Sequence, residues 1–266
     1  MSVKPGPLAN MLANSLANSL AILLAVWTWL VLCACSLGCF LLQLVLVPLT
    51  WPFDRNRVVT GRLYRQAGVL VSRLTPLWDF QIAGRLPVRP PGRTVVVSNH
   101  CSQADPFLIS QLPWEMKWLG KASLFRIPVL GWSMWLAGDV PVVRGEKQSA
   151  RGAMGKCRRY LERGMPVMIF PEGTRSLTDD LGPFKDGAFQ LAISTGADIL
   201  PIAVHGTASA LPVHDWRFAR ARARVIVGDP ISTAGMSLED IPRLKEIVRA
   251  KIEALRTSIR PLTVDP

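Results

Sequence analysis

The chain has 266 residues, 49% of them hydrophobic, and a formal net charge of +12. This length fits one globular domain with an additional segment. A strongly basic chain is typical of proteins that bind nucleic acid, an anionic membrane surface or an acidic substrate. The five cysteines lack paired spacing, which excludes a disulfide framework and favours a reducing compartment.

An apolar segment near the N-terminus predicts a membrane-embedded helix over residues 20–52. From residue 20 to residue 50 the only strongly polar side chain is Gln43. About 20 helical residues cross a bilayer core of roughly 30 Å, so the segment is more than long enough, and it is too long for a cleaved signal peptide. Pro48 and Pro52 are expected to close the helix. Residues 1–19, with their Leu-Ala-Asn repeat, are interpreted as a low-complexity lead-in, disordered or interfacial.

The next segment, residues 53–76, alternates arginine with apolar residues and predicts a basic amphipathic helix in the membrane interface. A surface helix packed on the domain is the alternative. Its first arginines are expected to contact anionic headgroups, and they are Arg55, Arg57, Arg62 and Arg65. By the positive-inside rule, the domain that follows faces the cytoplasm from the inner membrane. Because the positive charge lies beside lipid, a membrane partner is favoured over nucleic acid.

The remaining chain alternates strand and helix signals. Short β-branched runs predict strands at residues 94–97, 167–170, 200–204 and 224–227, with weaker candidates at 78–82 and 140–143. Apolar residues at helical spacing predict a helix from residue 150 to 161 that ends at Gly164. Ser237 and Asp240 resemble a capping box that opens a helix running to about residue 260. Continuously apolar strands separated by helices predict an α/β fold, a mostly parallel sheet flanked by helices.

The segment Asn-His-Cys-Ser-Gln-Ala-Asp at residues 99–105 directly follows the predicted strand 94–97. A turn would let Asp105 fold back onto His100, and a carboxylate that orients a histidine is the arrangement of a general base. Cys101 is disfavoured as a nucleophile because neighbouring residues of an extended chain point to opposite sides. Ser102 lacks a Gly-x-Ser-x-Gly elbow.

Three further blocks follow, each with glycine or a polar group at the end of an apolar run. Glycine allows close approach of backbone to ligand, and arginine suits phosphate. The blocks are Gly-Asp-Val-Pro-Val-Val-Arg-Gly at 138–145, Phe-Pro-Glu-Gly-Thr-Arg-Ser at 170–176 and Leu-Pro-Ile-Ala-Val-His-Gly at 200–206, and Lys121 lies ahead of them. Asp139 is interpreted as capping a turn, and His205 and His214 as ordinary polar residues.

In order and spacing, residues 55–210 resemble the glycerolipid acyltransferases, specifically the 1-acyl-sn-glycerol-3-phosphate (lysophosphatidate) acyltransferase family. The resemblance implies an acyltransferase domain over residues 77–266, with His100 as general base and Asp105 as its orienting partner. The acceptor site is then implied to consist of residues that bind the lysolipid phosphate, Lys121, Arg144 and Arg175, and residues that shape it, Glu172, Gly173 and Thr174. Pro141 and Val143 depart from the commonest second block.

The resemblance implies transfer of a fatty acyl group from acyl-CoA or acyl carrier protein to the sn-2 hydroxyl of lysophosphatidic acid, giving phosphatidic acid. The thioester is a co-substrate, and no cofactor is implied. Lyso-ornithine lipid and lysophosphatidylglycerol are alternative acceptors, and a non-catalytic membrane-tethered lipid-binding module is a further alternative. The histidines show no metal-binding spacing and no cysteine partners, so no metal site is predicted.

Overall fold

The computed structural model describes residues 7–87, 91–176, 178, 180–212 and 215–263. Its centre is a seven-stranded sheet in the order β1-β7-β6-β2-β5-β3-β4. All neighbouring strands are parallel except β6 and β7, so the carboxyl ends of β6, β2, β5, β3 and β4 meet at one edge. The strands are β1 Trp78–Ala83, β2 Thr94–Ser98, β3 Lys117–Lys121, β4 Val140–Val142, β5 Val167–Ile169, β6 Asp198–His205 and β7 Ala221–Val227.

Helices cover both faces of the sheet, as the sequence predicts. They are α1 Pro7–Thr50, α2 Val58–Leu74, α3 Asp105–Ile109, α4 Leu130–Ala137, α5 Lys147–Glu162, α6 Gly187–Thr195 and α7 Ile241–Ile259. Alternate residues of β2 point into two separate cores: Val96 packs with α3, whereas Val95 and Val97 pack with α5, α6 and α7. Removal of these apolar surfaces from water is the main stabilisation of the sheet.

All six predicted strands are present, but β3 was not predicted. Its sequence, Lys-Trp-Leu-Gly-Lys, carries a charge at each end and a glycine inside, which gives a weak strand signal. Lys117 is nevertheless fully buried. Its ammonium donates to the carbonyl oxygens of Arg57 and Ala137, at 2.8 Å each, and to the Glu115 carboxylate at 2.9 Å. These partners, of which Arg57 and Ala137 are distant in sequence, satisfy a charge that would otherwise be too costly to bury.

The first helix begins earlier than the sequence suggests. Described residues 7–19 belong to α1, so this part of the lead-in is helical and continuous with the apolar segment, and residues 1–6 lie outside the described residues. Within α1, Asn18–Thr50 is long and apolar enough to cross a membrane, with a hydropathy of 2.6, by length and composition only. Pro48 falls in the last turn of α1, and the helix ends at Thr50.

The two N-terminal helices pack against each other as an antiparallel pair. The Trp27 indole N–H donates to the Leu74 carbonyl oxygen at 2.9 Å, and the Gln43 amide donates to the Thr60 carbonyl oxygen at 3.1 Å. Between the helices, Asp54 accepts hydrogen bonds from the first backbone N–H groups of α2, at 2.7 and 2.8 Å. Such capping satisfies donors that have no partner inside the helix, and it starts α2 at Val58.

The arginines of α2 do not all face the membrane interface. Arg65 is buried and pairs with the Asp139 carboxylate in a short contact, with Glu115 4.0 Å away. The expectation that Arg65 contacts headgroups is therefore wrong, whereas Arg62 is exposed. Asp139, interpreted from the sequence as capping a turn, is instead a buried partner that also accepts the Trp118 backbone N–H at 3.0 Å. A pair separated by 74 residues leaves no local sequence signal.

We expect Arg65→Met to lower the free energy of unfolding by about 3–5 kcal/mol, because it leaves the buried Asp139 carboxylate without a compensating charge. Chemical denaturation of the full chain in neutral detergent measures this change. The exposed Arg62→Met is the control and should cost less than about 0.5 kcal/mol. Adding Asp139→Leu to Arg65→Met should restore part of the stability, and an Arg65→Met loss no larger than that of the control would contradict the role of the pair.

Candidate active site

The loop that carries His100 is held where β2 ends. The Asn99 side chain imitates a strand backbone: its amide nitrogen donates to the Val204 carbonyl oxygen, and its oxygen accepts the Val204 N–H, both at 2.9 Å. This bridge joins the ends of β2 and β6 after the regular pairing stops. The next residue, His100, therefore leaves the sheet at its carboxyl edge, where ligand and catalytic groups of α/β sheets collect.

Asp105 and His100 are in direct contact. The distance from His100 Nδ1 to Asp105 Oδ2 is 2.7 Å, as the five-residue spacing predicted. Asp105 is the first residue of α3, and its side chain is fully buried. The same carboxylate oxygen accepts the backbone N–H groups of Cys101, at 2.8 Å, and Ser102, at 3.0 Å. The carboxylate thus fixes both the histidine and the loop that carries it.

The second oxygen of Asp105 accepts the Thr207 hydroxyl in a short hydrogen bond. Thr207 follows Gly206, which has a φ of 87°, and a Cβ there would lie 2.1 Å from the Arg222 carbonyl oxygen. Glycine is therefore required for the turn that brings Thr207 beneath the site. Sequence reasoning missed Thr207: it lies one position beyond the last block, and its partner is 102 residues away.

The His100 imidazole is oriented by a ring-stacking contact as well as by its contact at Nδ1. Its ring stacks on Phe170, with centroids 4.0 Å apart and an interplanar angle of 17°. The side chain is 12% exposed. Within the part of the chain that the structure describes, Nε2 has no hydrogen-bond partner, so this nitrogen is available to a substrate. The sequence placed Phe170 in a predicted strand and at the start of the block at 170–176 but predicted no contact with His100, because the stacking depends on the neighbouring positions of β2 and β5.

Glu172 joins the loop after β5 to the histidine loop. One carboxylate oxygen accepts the His100 backbone N–H at 3.0 Å, and the other accepts the Gly182 N–H at 2.8 Å. The Ser176 N–H donates to the His100 carbonyl oxygen at 2.8 Å. Glu172 is buried. Both oxygens of its carboxylate accept backbone N–H groups, so Glu172 contributes to an acceptor site by holding the loop.

Gly173 and Thr174 form the turn above Glu172. Gly173 has a φ of 70°, and a Cβ at this position would lie 2.6 Å from Lys185 Nζ. The missing side chain is what allows the ammonium to approach the backbone. Thr174 is exposed beside it. Lys185 is a further cation of this edge, and no sequence signal pointed to it.

Three predicted phosphate ligands lie at the carboxyl ends of neighbouring strands: Lys121 ends β3, Arg144 follows β4, and Arg175 lies in the loop after β5. The pKa of Arg144 is lowered, first because the group is partly desolvated and second because the Arg175 guanidinium is close. Among the described residues, none of the three cations forms an ion pair with a carboxylate. Two guanidiniums that lie close together form a site suited to an anion.

Cys101 and Ser102 are not arranged as nucleophiles. Burial, together with the Asp105 carboxylate, raises the pKa of the Cys101 thiol to about 12. The Asn99 amide donates to this sulfur at 3.2 Å. Ser102 is buried, and its hydroxyl oxygen accepts the Ala104 N–H at 3.1 Å.

His205 stands apart from this geometry. His205 Nδ1 contacts the Thr263 hydroxyl at 2.7 Å, and His214 lies outside the described residues.

A mostly parallel sheet that presents an oriented histidine at one edge, beside cations that have no carboxylate partner among the described residues, is the arrangement of the acyltransferase class. Comparison with known proteins agrees with this. The family model described as Acyltransferase matches residues 79–205, a range that includes His100 and Arg175. A crystal structure of the 1-acyl-sn-glycerophosphate acyltransferase PlsC from Thermotoga maritima shares the fold, with a TM-score of 0.74 at 22% identity, over 90% of this chain and 97% of that chain.

The chain belongs to the 1-acyl-sn-glycerol-3-phosphate acyltransferase family. It is 37% identical to the enzyme of that name from Chlamydomonas reinhardtii, over 66% of this chain and 53% of that protein. It is 30% identical to the Haemophilus influenzae enzyme, over 64% of this chain and 72% of that protein. The chain spans about half the length of the algal and Brassica napus relatives it matches, 53% and 54%.

We expect iodoacetamide to alkylate Cys101 at pH 8 more than about a hundredfold more slowly than a free cysteine, because the thiolate is the reactive form. The rate should rise about tenfold per pH unit from pH 7 to 10, since the thiol stays protonated throughout that range. Peptide mass spectrometry measures the labelling, and the chain unfolded in urea is the control. A rate that levels off near pH 9 would show that the thiol has an ordinary pKa.

Proposed function

We propose that the protein transfers a fatty acyl group from a thioester donor, acyl-CoA or acyl carrier protein, to the sn-2 hydroxyl of lysophosphatidic acid, giving phosphatidic acid. The observation that carries this proposal is the 2.7 Å contact between His100 and Asp105 at the edge where Arg144 and Arg175 lie without acidic partners among the described residues. A non-catalytic lipid-binding module would have no use for a base oriented in this way. The family membership supports the same reaction.

In the proposed mechanism, His100 Nε2 removes the proton of the acceptor hydroxyl as its oxygen attacks the thioester carbonyl carbon. The carbon–sulfur bond breaks, the thiolate leaves, and the imidazolium returns its proton to the sulfur. Asp105 stabilises the imidazolium and fixes the tautomer by holding Nδ1. Because Asp105 is itself held by two backbone N–H groups and the Thr207 hydroxyl, it keeps its position while the charge on the ring changes.

Lys121, Arg144 and Arg175 are proposed to bind the phosphate of the acceptor. In lysophosphatidic acid a short glycerol backbone separates the hydroxyl from the phosphate, so the base and the anion site must share one edge. Arg175 meets this requirement, because the N–H of the next residue donates to the His100 carbonyl oxygen at 2.8 Å. Binding the phosphate in this way would orient the hydroxyl toward the imidazole.

The proposed location is the cytoplasmic face of the inner membrane. A candidate membrane helix, Asn18–Thr50, indicates association with the membrane. Exposed Arg55 and Arg62 and half-buried Arg57 follow it, which supports a cytoplasmic domain under the positive-inside rule. In this arrangement the catalytic edge and both substrates, a membrane lysolipid and a cytoplasmic thioester, share one compartment.

We expect the full chain in detergent to release free thiol from acyl-CoA only when lysophosphatidate is present. His100→Ala should lower the turnover number by about 10²–10⁴-fold, because it removes the general base. His205→Ala is the matched control, a histidine at the end of β6 whose ring contacts Thr263, and it should change turnover by less than about threefold. Wild-type turnover with lysophosphatidylglycerol but not lysophosphatidate would refute the proposed acceptor, and equal loss in both variants would refute the role of His100.

We expect Arg144→Gln and Arg175→Gln each to raise KM for lysophosphatidate by about tenfold or more, with a smaller change in kcat, because each removes a charge-assisted contact to phosphate. Arg243→Gln, an exposed arginine of α7, controls for the change in net charge. Initial rates over a range of lysophosphatidate concentrations separate the two constants. An unchanged KM in both variants would place the phosphate elsewhere.

A further inference from the structure

A cationic cavity of about 560 Å³ lies at the amino ends of the strands, at the opposite edge of the sheet from His100. It is lined by the segment that joins α1 to α2, by the end of α4 and by the last turns of α5. Asp139 and Val140 are at its wall, so it opens at the amino end of β4. His100 follows the carboxyl end of β2. Strands β2, β5, β3 and β4 are all parallel, so their carboxyl ends lie together and their amino ends lie at the opposite edge. The two sites therefore lie at opposite edges.

Five cations line this cavity: Arg55, Arg57, Lys156, Arg159 and Arg163. None of them forms an ion pair with a carboxylate among the residues that the structure describes. Surface cations elsewhere do pair, for example the lysines of α7 with Asp186, at 2.8 Å, and with Asp229, at 3.3 Å. Bringing five like charges together costs free energy, so an anionic ligand would lower their mutual repulsion.

The two carboxylates at the cavity are already engaged. Asp54 caps α2 by accepting two backbone N–H groups, and Asp139 is buried against Arg65. Basic residues at the C-terminal end of a helix also favour the helix dipole. That effect accounts for Arg159 in the last turn of α5, but it does not account for Arg55, which lies outside any helix.

Aromatic rings contact two of these cations. The Arg57 guanidinium lies 5.1 Å from the Trp51 ring centroid, and the Lys156 ammonium lies 5.4 Å from that of Trp135. Between them, the Tyr160 hydroxyl donates to the Gly138 carbonyl oxygen at 2.9 Å. Cation–π contacts order long side chains that would otherwise sample many conformations, which lowers the entropic cost of binding.

The depth of the cavity relative to the apolar helix indicates where its ligand comes from. Trp51 follows the last residue of the candidate membrane segment directly, and its side chain and that of Phe53 are 64% and 74% exposed. Tryptophan is enriched at the level of lipid headgroups. A cavity that begins at this residue and is lined by arginine would lie at the depth of lipid phosphates.

We propose that this cavity binds the phosphate of an anionic membrane phospholipid, as a second lipid site separate from the catalytic edge. Arg159 in the last turn of α5, Arg163 directly after that helix, and Arg57 from the link to α2 would surround the phosphate. The same chemistry could bind the phosphates of a soluble ester, so the test distinguishes the two sources. The proposal does not depend on the proposed reaction, because its readout is binding and not turnover.

The test uses the full chain in neutral detergent, titrated separately with dihexanoylphosphatidylglycerol, inorganic phosphate and coenzyme A, with bound ligands counted by native mass spectrometry. Arg159→Gln/Arg163→Gln should weaken phosphatidylglycerol binding by about tenfold or more. Arg243→Gln/Lys251→Gln, two cations of α7 outside the cavity, carries the same charge change and should weaken it by less than about twofold. Arg144→Gln/Arg175→Gln removes the catalytic-edge arginines and should leave one lipid bound.

Equal phosphatidylglycerol affinity in the cavity variant and the α7 control would overturn the site. A different result would overturn the lipid assignment in favour of a soluble phosphate ester. In that result the chain binds coenzyme A or phosphate but not phosphatidylglycerol, and only the cavity variant loses this binding. Circular dichroism verifies folding of each variant. Should the double variant fail to fold, Lys156→Gln provides the same comparison with one charge, and an affinity unchanged from wild type would count against the proposal.

Discussion

The geometry of the catalytic edge depends on one buried carboxylate. Asp105 accepts hydrogen bonds from the Cys101 and Ser102 N–H groups and the Thr207 hydroxyl while it contacts the His100 ring. A buried carboxylate is tolerated only where such donors surround it. The requirement works in both directions: the donors hold Asp105, and Asp105 gathers a loop after β2 and a turn after β6 that are far apart in sequence. The position of the base is therefore set by contacts from two parts of the fold and not by the histidine's own loop alone.

Much of this arrangement could be predicted from the sequence, because its signals are local. Apolar runs separated by helical patterns indicate parallel strands, and parallel strands bring the blocks that follow them to one edge. The spacing of His100 and Asp105 places both at one loop and the first turn of one helix. What the sequence did not reveal depends on pairs that meet only in the fold. Thr207 and Lys185 have no local pattern. The strand β3 can begin with a buried lysine because Lys117 has partners in other parts of the fold.

The same distinction explains the error at the second helix. Its alternation of arginine with apolar residues fits an interfacial helix, and sequence periodicity cannot distinguish an arginine that faces headgroups from one that faces a buried carboxylate. Arg65 takes the second position because Asp139 and Glu115 lie beneath α2. Gln43 shows the complementary case: the one strongly polar residue of the apolar segment faces the domain, where its amide donates to the carbonyl oxygens of Thr60 and Ser133. The Gln43 side chain thus helps to attach the apolar helix to the rest of the protein.

The functional meaning of the excess positive charge depends on where the cations cluster. A charge of +12 spread evenly would attract any anionic surface, and salt would screen that attraction over about 8–10 Å. Cations gathered in partly enclosed sites are screened less and can select for a phosphate of defined position. In the proposed reaction, the catalytic edge needs this selectivity to align a hydroxyl with His100. At the opposite edge, the cavity beside Trp51 needs only to hold a phosphate at the depth of the bilayer surface, so the two sites place different demands on the same chemistry.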